Sequence, residues 1–306
     1  MSRVAYSSIN EYLNALRVAL RDADPALLQD ALYDAEEYLR AACAEQSERP
    51  EAEVLAEVIG QFGSPEELAA GYRETEATVA KALRAPAPKV PSSVLGKIFG
   101  VYVDPRTYAS LFYMFLAFVT GIFYFTWAVT GSAMSVGFAI LIFGVPFFLL
   151  FIGSVRLISL VEGRIIEVLL GERMPRRPVY SPQGNSTTQR IGQRILAMLK
   201  DPRTWSTLLY MAAMLPIGIV YFTAAIIGLA LSFAMMAAPF HGHFFHLGHD
   251  TVIYVPWVLE GFSEWPMSLW LVPIGFLALT AVLHVARLVG RLHGKVAKHL
   301  LVRVAA

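Results

Sequence analysis

Apolar and polar positions split this chain into two unlike halves. Through residue 84 the apolar residues recur at helical spacing among many charges, the pattern of short amphipathic helices. Ser8-x-x-Glu11 forms a capping box ahead of Ile9, Tyr12, Leu13, Leu16 and Leu20. Asp24-Pro25 opens a second helix that turns Leu27, Leu28, Ala31, Leu32, Ala35 and Leu39 inward. Val54, Leu55, Val58, Ile59 and Phe62 mark a third, stopped by Gly63, and Ser64-Pro65-Glu66-Glu67 starts a fourth with Leu68 and Tyr72. Residues 1–84 thus read as a compact helical domain, and the Pro-rich stretch 85–93 as a stiff linker. Beyond residue 105 the pattern changes to long uncharged runs. Thr107 to Val155 contains no charged residue over 49 positions. One helix of that length would be about 70 Å long, more than twice the hydrocarbon thickness of a bilayer. It must fold back, and Thr130-Gly131-Ser132 is the expected turn. The spans predicted are near 107–130, 135–156, 204–232 and 269–287, the last broken by Pro273. The expected fold class is all-α: a small cytoplasmic helical domain plus a four-helix transmembrane bundle.

The membrane half repeats itself. Asp104-Pro105-Arg106-Thr107 recurs as Asp201-Pro202-Arg203-Thr204, and half the positions of 104–129 are identical in 201–226. Leu111-x-Tyr113-Met114 matches Leu208-x-Tyr210-Met211, and Gly121-Ile122-x-Tyr124-Phe125-Thr126 matches Gly218-Ile219-x-Tyr221-Phe222-Thr223. Further on, Val161-Glu162-Gly163-Arg164 aligns with Leu292-His293-Gly294-Lys295, which pairs Arg156 with Arg287. The bundle is therefore two tandem repeated hairpins, 94–175 and 176–306, the second enlarged by an insertion at about 233–267. In each copy Asp caps a helix, Pro fits its first turn and Arg reaches toward lipid phosphates. Short amphipathic stretches before each copy (Val94, Ile98, Val101; Ile191, Ile195, Met198) fit helices in the headgroup region.

Charge adds an orientation. Residues 1–84 carry 16 acidic and 8 basic side chains, whereas 85–306 carry 8 acidic and 17 basic, so a near-neutral total hides an acidic head on a basic body. Every Lys and Arg after residue 85 lies before span one, between spans two and three, or from the end of span four onward. This predicts a multi-pass inner-membrane protein with both termini cytoplasmic and both copies running the same way. The acidic head has two natural docking surfaces: a basic cytoplasmic partner, or the chain's own Arg164, Arg173, Arg176, Arg177, Arg190 and Arg194. Competition between the two would make a reversible relay. The acidity would alternatively serve only to keep the head soluble.

Tyr12-Leu13-x-x-Leu16, Tyr33-x-x-Glu36-Glu37 and above all Phe62-Gly63-Ser64-Pro65-Glu66-Glu67-Leu68-Ala69 resemble the HTH-associated α-helical signalling domain, HAAS. The Asp-Pro-x-Thr openings and paired spans look like the sensor domain of bacterial membrane signalling proteins. The first resemblance implies a relay to a winged-helix transcription regulator, with no direct nucleic-acid binding by this chain.

One segment carries pointed chemistry. His241, His243, His246, His249 and Asp250 fall within ten residues of the outer insertion. Imidazole with carboxylate suits zinc, copper or nickel. The same residues fit pH sensing, or a polar loop tethered in the interfacial aromatic belt. A phosphate-binding loop, dinucleotide fingerprint, nucleophile elbow and kinase motif are all missing, which argues against an enzyme. The spans hold no buried Asp or Glu of the kind transporters use for ion coupling. The reading that follows is a sensor or regulatory protein relaying an envelope or membrane signal through its acidic head. The alternatives are an accessory subunit of a larger membrane complex and a small metal-handling transporter. Self-assembly is left open.

Overall fold

The computed structural model describes residues 6–46, 49–83, 94–141, 144–177, 199–240 and 267–302, and among these all regular structure is helical. The head comprises α1 (Ile9–Ala19), α2 (Pro25–Glu45), α3 (Glu51–Phe62) and α4 (Pro65–Leu83). Its boundaries follow the expected caps. The Ser8 side chain accepts from Glu11 N–H, and the Asp24 side chain from Ala26 N–H. At α4 the box is reciprocal: Ser64 N–H donates to Glu67 Oε2 at 2.9 Å and Glu67 N–H to Ser64 Oγ at 3.2 Å. Tyr12, Leu16, Leu20, Leu39 and Leu55 form the buried centre, and Tyr12 Oη donates to Gly63 O at 2.9 Å, tying α1 to the α3–α4 corner.

A short helix α5 (Val94–Phe99) leads into four long apolar helices: α6 (Pro105–Gly137), α7 (Gly144–Leu170), α8 (Pro202–Ala237) and α9 (Leu271–Leu301). All four are long and apolar enough to cross a membrane. Asp104 and Asp201 cap α6 and α8 as predicted, each accepting the N–H of the following Arg. Thr130-Gly131-Ser132 is not a turn. These residues are helical, and α6 continues to Gly137 because Gly131 lets the Phe151 ring lie directly against its backbone. The second helix is correspondingly displaced. It runs 144–170 where a span at 135–156 was expected, and its last turns carry Glu162.

The relative directions of the helices follow from their side-chain contacts. Contacts Gly131–Phe151 and Trp127–Ser154 make α6 and α7 an antiparallel hairpin, and Gly275–Ser232 with Gly228–Val282 do the same for α8 and α9. Tyr102 stacks on Phe276, Arg287 pairs with Asp104, and Tyr113 meets His293, so α9 runs alongside α6 in the same direction. Hence α6 and α8 are antiparallel neighbours. The antiparallel contact concerns the packing of α6 on α8 and not the direction of either copy across a bilayer, and apolar periodicity does not announce it, since periodicity records which face of a helix is buried and not the sense of its neighbour. A pseudo-twofold axis exchanges the copies. It exchanges α6 with α8 and α7 with α9.

The axis crosses at two glycines. A Cβ on Gly121 would lie 2.5 Å from Met214 O, and one on Gly218 would lie 2.4 Å from Ala117 O. Both helices therefore touch backbone to backbone, the small-residue contact that membrane helices use. Gly121→Leu should destabilise the bundle by about 3 kcal/mol through overpacking, while Gly153→Leu, where a Cβ has no neighbour within 4 Å, should be near neutral. Thermal unfolding of both variants in detergent checks this.

Candidate functional site

Six polar side chains converge where the axis meets α7 and α9. Glu162 is 1 % exposed and His293 2 % exposed. Tyr113 and Tyr210 Oη both donate to Glu162 Oε1 at 2.8 Å, and Tyr124 Oη donates to Oε2 at 2.8 Å. His293 Nε2 lies 2.7 Å from Tyr113 Oη and 3.1 Å from Tyr210 Oη, and its Nδ1 lies 3.3 Å from Tyr221 Oη. The two shared hydroxyls spend their protons on Glu162, so the network closes with Nε2–H donating to both and Nδ1 accepting from Tyr221. Each residue meets its repeat equivalent here: Tyr113 with Tyr210, Tyr124 with Tyr221, Glu162 with His293. A carboxylate from one copy and an imidazole from the other are thus clamped by tyrosines of both. Buried polar groups this fully satisfied lock a unique arrangement of elements.

From Glu162 a continuous set of contacts leads to the head. A Cβ on Gly163 would sit 3.3 Å from Met174, which is fully buried. Arg164 Nη2 donates to Met174 O at 2.9 Å and Pro175 O at 2.7 Å, pinning the segment after α7 against that helix. The same segment presents Arg176 and Arg177 N–H to Asp30 Oδ1 at 2.7 and 2.9 Å. Arg177 Nε lies 2.9 Å from Asp34 Oδ1, and Arg173 pairs with Asp30 and Glu76. Gln29 bridges, donating to Arg177 O at 2.8 Å and accepting from Arg203 Nη1 at 3.1 Å, while Lys298 pairs with Asp24. Burial pushes the Asp30 carboxyl above its ordinary range, against the pull of the two backbone N–H groups and Arg173. Burial likewise lowers the Arg173 guanidinium. Of the arginines expected to meet the head, Arg173, Arg176 and Arg177 do. Arg164 acts one step behind them, and Arg190 and Arg194 lie outside the described residues.

Two family models match: the one described as Putative sensor over residues 113–301, and HAAS over residues 11–71. The chain belongs to the Putative sensor family. Its N-terminal part is a HAAS domain. No curated protein and no solved structure matches the chain. Both family matches fit a signalling or sensor role in a membrane protein, and such families are typically non-enzymatic.

The Putative sensor domain contains the whole hexad. In the sequence its members mark only the repeat, and the register that sets Glu162 opposite His293 is the one signal of a site. Contrary to the expectation of spans without a buried acid, α7 extends past 156 and buries Glu162. His241, His243, His246, His249 and Asp250 lie outside the described residues. Among the described residues no group of three His, Cys, Asp or Glu could hold a metal ion. His284 Nε2 lies 3.0 Å from Ile98 O, an interhelical hydrogen bond between α9 and α5.

Proposed function

We propose that this protein senses a state of its membrane and relays it by holding or releasing its HAAS head. The observation that carries this reading is the docking of α2 through Asp24, Gln29, Asp30 and Asp34 onto the 173–177 segment, Arg203 and Lys298. That acidic surface is the one a basic cytoplasmic partner would use. A winged-helix regulator is the partner that the resemblance to HAAS implies. Movement at the axis would reach the head through Glu162, Arg164 and the carbonyls of Met174 and Pro175. Co-purification from membranes tests the reading. A variant with a loosened head should capture a regulator that the parent does not, and equal capture by both would reject the relay.

The charge pattern and the packing together suggest how the bundle sits. Helices of 33, 27, 36 and 31 residues far exceed the span of about 20 that an upright helix needs. Strongly inclined helices, with the pseudo-twofold axis along the membrane normal, would place the starts of α6 and α8 on one face despite their antiparallel contact. The arginines and the head would then share the cytoplasmic face with the C-terminal ends of α7 and α9. Val103→Cys and Lys200→Cys, each in a Cys43→Ser background, should both be labelled from the cytoplasm of intact cells. Labelling from opposite faces would mean upright helices and would reject this placement.

A further inference from the structure

The copies are not equivalent at their outer polar contacts. Asp104 and Arg287 pair at 2.9 Å, and the Asp104 side chain is 6 % exposed. The repeat-related Arg156 and Asp201 stand 3.6 Å apart, and the Asp201 side chain is 30 % exposed. The cause lies in two substitutions between the copies. Where α9 has Gly290, α7 has Ser159; where α6 has Ser110, α8 has Thr207. Gly290 lets Ser110 in so closely that a Cβ there would lie 2.4 Å from its Oγ, and that half is closed. With Ser159 and Thr207 instead, α7 and α8 stand apart around a cleft. Ile152, Val155 and Leu160 form its apolar wall, and Arg156, Ser159, Asp201, Arg203, Thr204 and Thr207 its polar end.

Thr204 is 6 % exposed, and its Oγ1 is buried with no hydrogen-bond partner. Its equivalent Thr107 shares that feature, so the space beside Thr204 is what sets this half apart. A guanidinium, an unpartnered hydroxyl and an apolar wall at one end of a membrane helix fit the phosphodiester of a phospholipid with its acyl chains along α7. Arg156 would take a phosphate oxygen and Thr204 Oγ1 would donate to another. Asp201 would face a headgroup amine or hydroxyl.

We infer that the α7–α8 cleft binds a glycerophospholipid headgroup through Arg156 and Thr204. This deepens the proposed relay and rests on it only for its consequence. Arg203 lines the same cleft and holds Gln29 of the head, so headgroup binding would compete for the guanidinium that anchors α2.

The test uses the full chain in nanodiscs of phosphatidylcholine with added phosphatidylglycerol, doped with a photoactivatable phosphatidylglycerol. Crosslinked peptides should concentrate in 152–160 and 201–207. Arg156→Gln and Thr204→Val should each lower that labelling about tenfold, the scale of one charge-assisted hydrogen bond. Melting temperatures near the parent's show that the variants fold, and Ser159→Gly offers a milder route to closing the cleft. Labelling spread evenly along the apolar helices, or insensitive to the variants, would overturn the site. Competition by millimolar inorganic phosphate or glycerol phosphate would overturn the lipid assignment in favour of a free anion. A short bis-maleimide crosslink between Asp24→Cys and Lys298→Cys, in a Cys43→Ser background, reads head position separately and leaves Arg203 and Gln29 in place. Lipid labelling without a change in that crosslink would uphold the cleft and reject the relay.

Discussion

Glu162→Ala should destabilise the membrane half by about 2–4 kcal/mol, the largest effect expected of any single substitution in the bundle. The carboxylate accepts from three tyrosines on two helices, so its loss leaves three buried hydroxyls without their acceptor. Hydroxyls in an apolar setting are costly to leave unpaired, though a membrane reference state softens the penalty, because unfolded segments also find partners. Glu162→Gln keeps one acceptor oxygen but brings an amide that donates where donors already crowd, and should cost about 1–2 kcal/mol. Tyr124→Phe removes a single donor and should cost about 1 kcal/mol. The order Ala, Gln, Phe in detergent melts is the measurement. If Glu162→Ala melted with the parent, the hexad would not hold the copies together. His293→Ala on top of Glu162→Ala should add less than it costs alone, because both act on Tyr113 and Tyr210.

Asp30→Ala should detach the head while leaving it folded. Asp30 accepts from two backbone N–H groups and faces Arg173, so truncation leaves a buried guanidinium and two amides without their anion. Removing one side of such a contact costs about 2–5 kcal/mol, a shift in docked population of roughly thirtyfold or more. The Asp24→Cys/Lys298→Cys crosslink should fall by that scale in the Asp30→Ala background. Head melting should change little, since the centre of the head is Tyr12, Leu16, Leu20, Leu39 and Leu55 and Asp30 packs outward onto the body. A crosslink yield equal to the parent's would show that more exposed pairs such as Arg177–Asp34 suffice for docking. That outcome would be unexpected, because exposed pairs contribute about 0–1 kcal/mol each. Asp30→Asn separates charge from shape: it keeps an acceptor for the backbone N–H groups, and its effect should lie between those of the parent and Asp30→Ala.

The number of long helices, the four-helix head and the repeat were all legible along the chain, because each depends on local signals. Ser8, Asp24 and Ser64 announce helix starts, Gly63 a stop, and the uncharged runs the apolar segments. The turn at Thr130-Gly131-Ser132 was misread for a local reason too. Small residues in an apolar run serve equally as a turn and as a surface for a neighbouring ring, and only the position of Phe151 distinguishes them. The charge asymmetry named Arg173, Arg176 and Arg177 as candidate contacts of the head, but the particular acids that meet them follow from how α2 presents Asp30 and Asp34.

What the amino-acid order determined by itself is the set of elements and their internal symmetry: capped amphipathic helices, long apolar helices, and two copies in register. Tertiary structure alone decided that the copies pack antiparallel, that Glu162 and His293 share one hexad, and that the α7–α8 side stays open while the α6–α9 side closes. Apolar helix faces are chemically alike, so periodicity cannot rank their pairings. Those pairings are set by close contacts such as Gly121 on Met214 and by the few buried polar groups that must find one another.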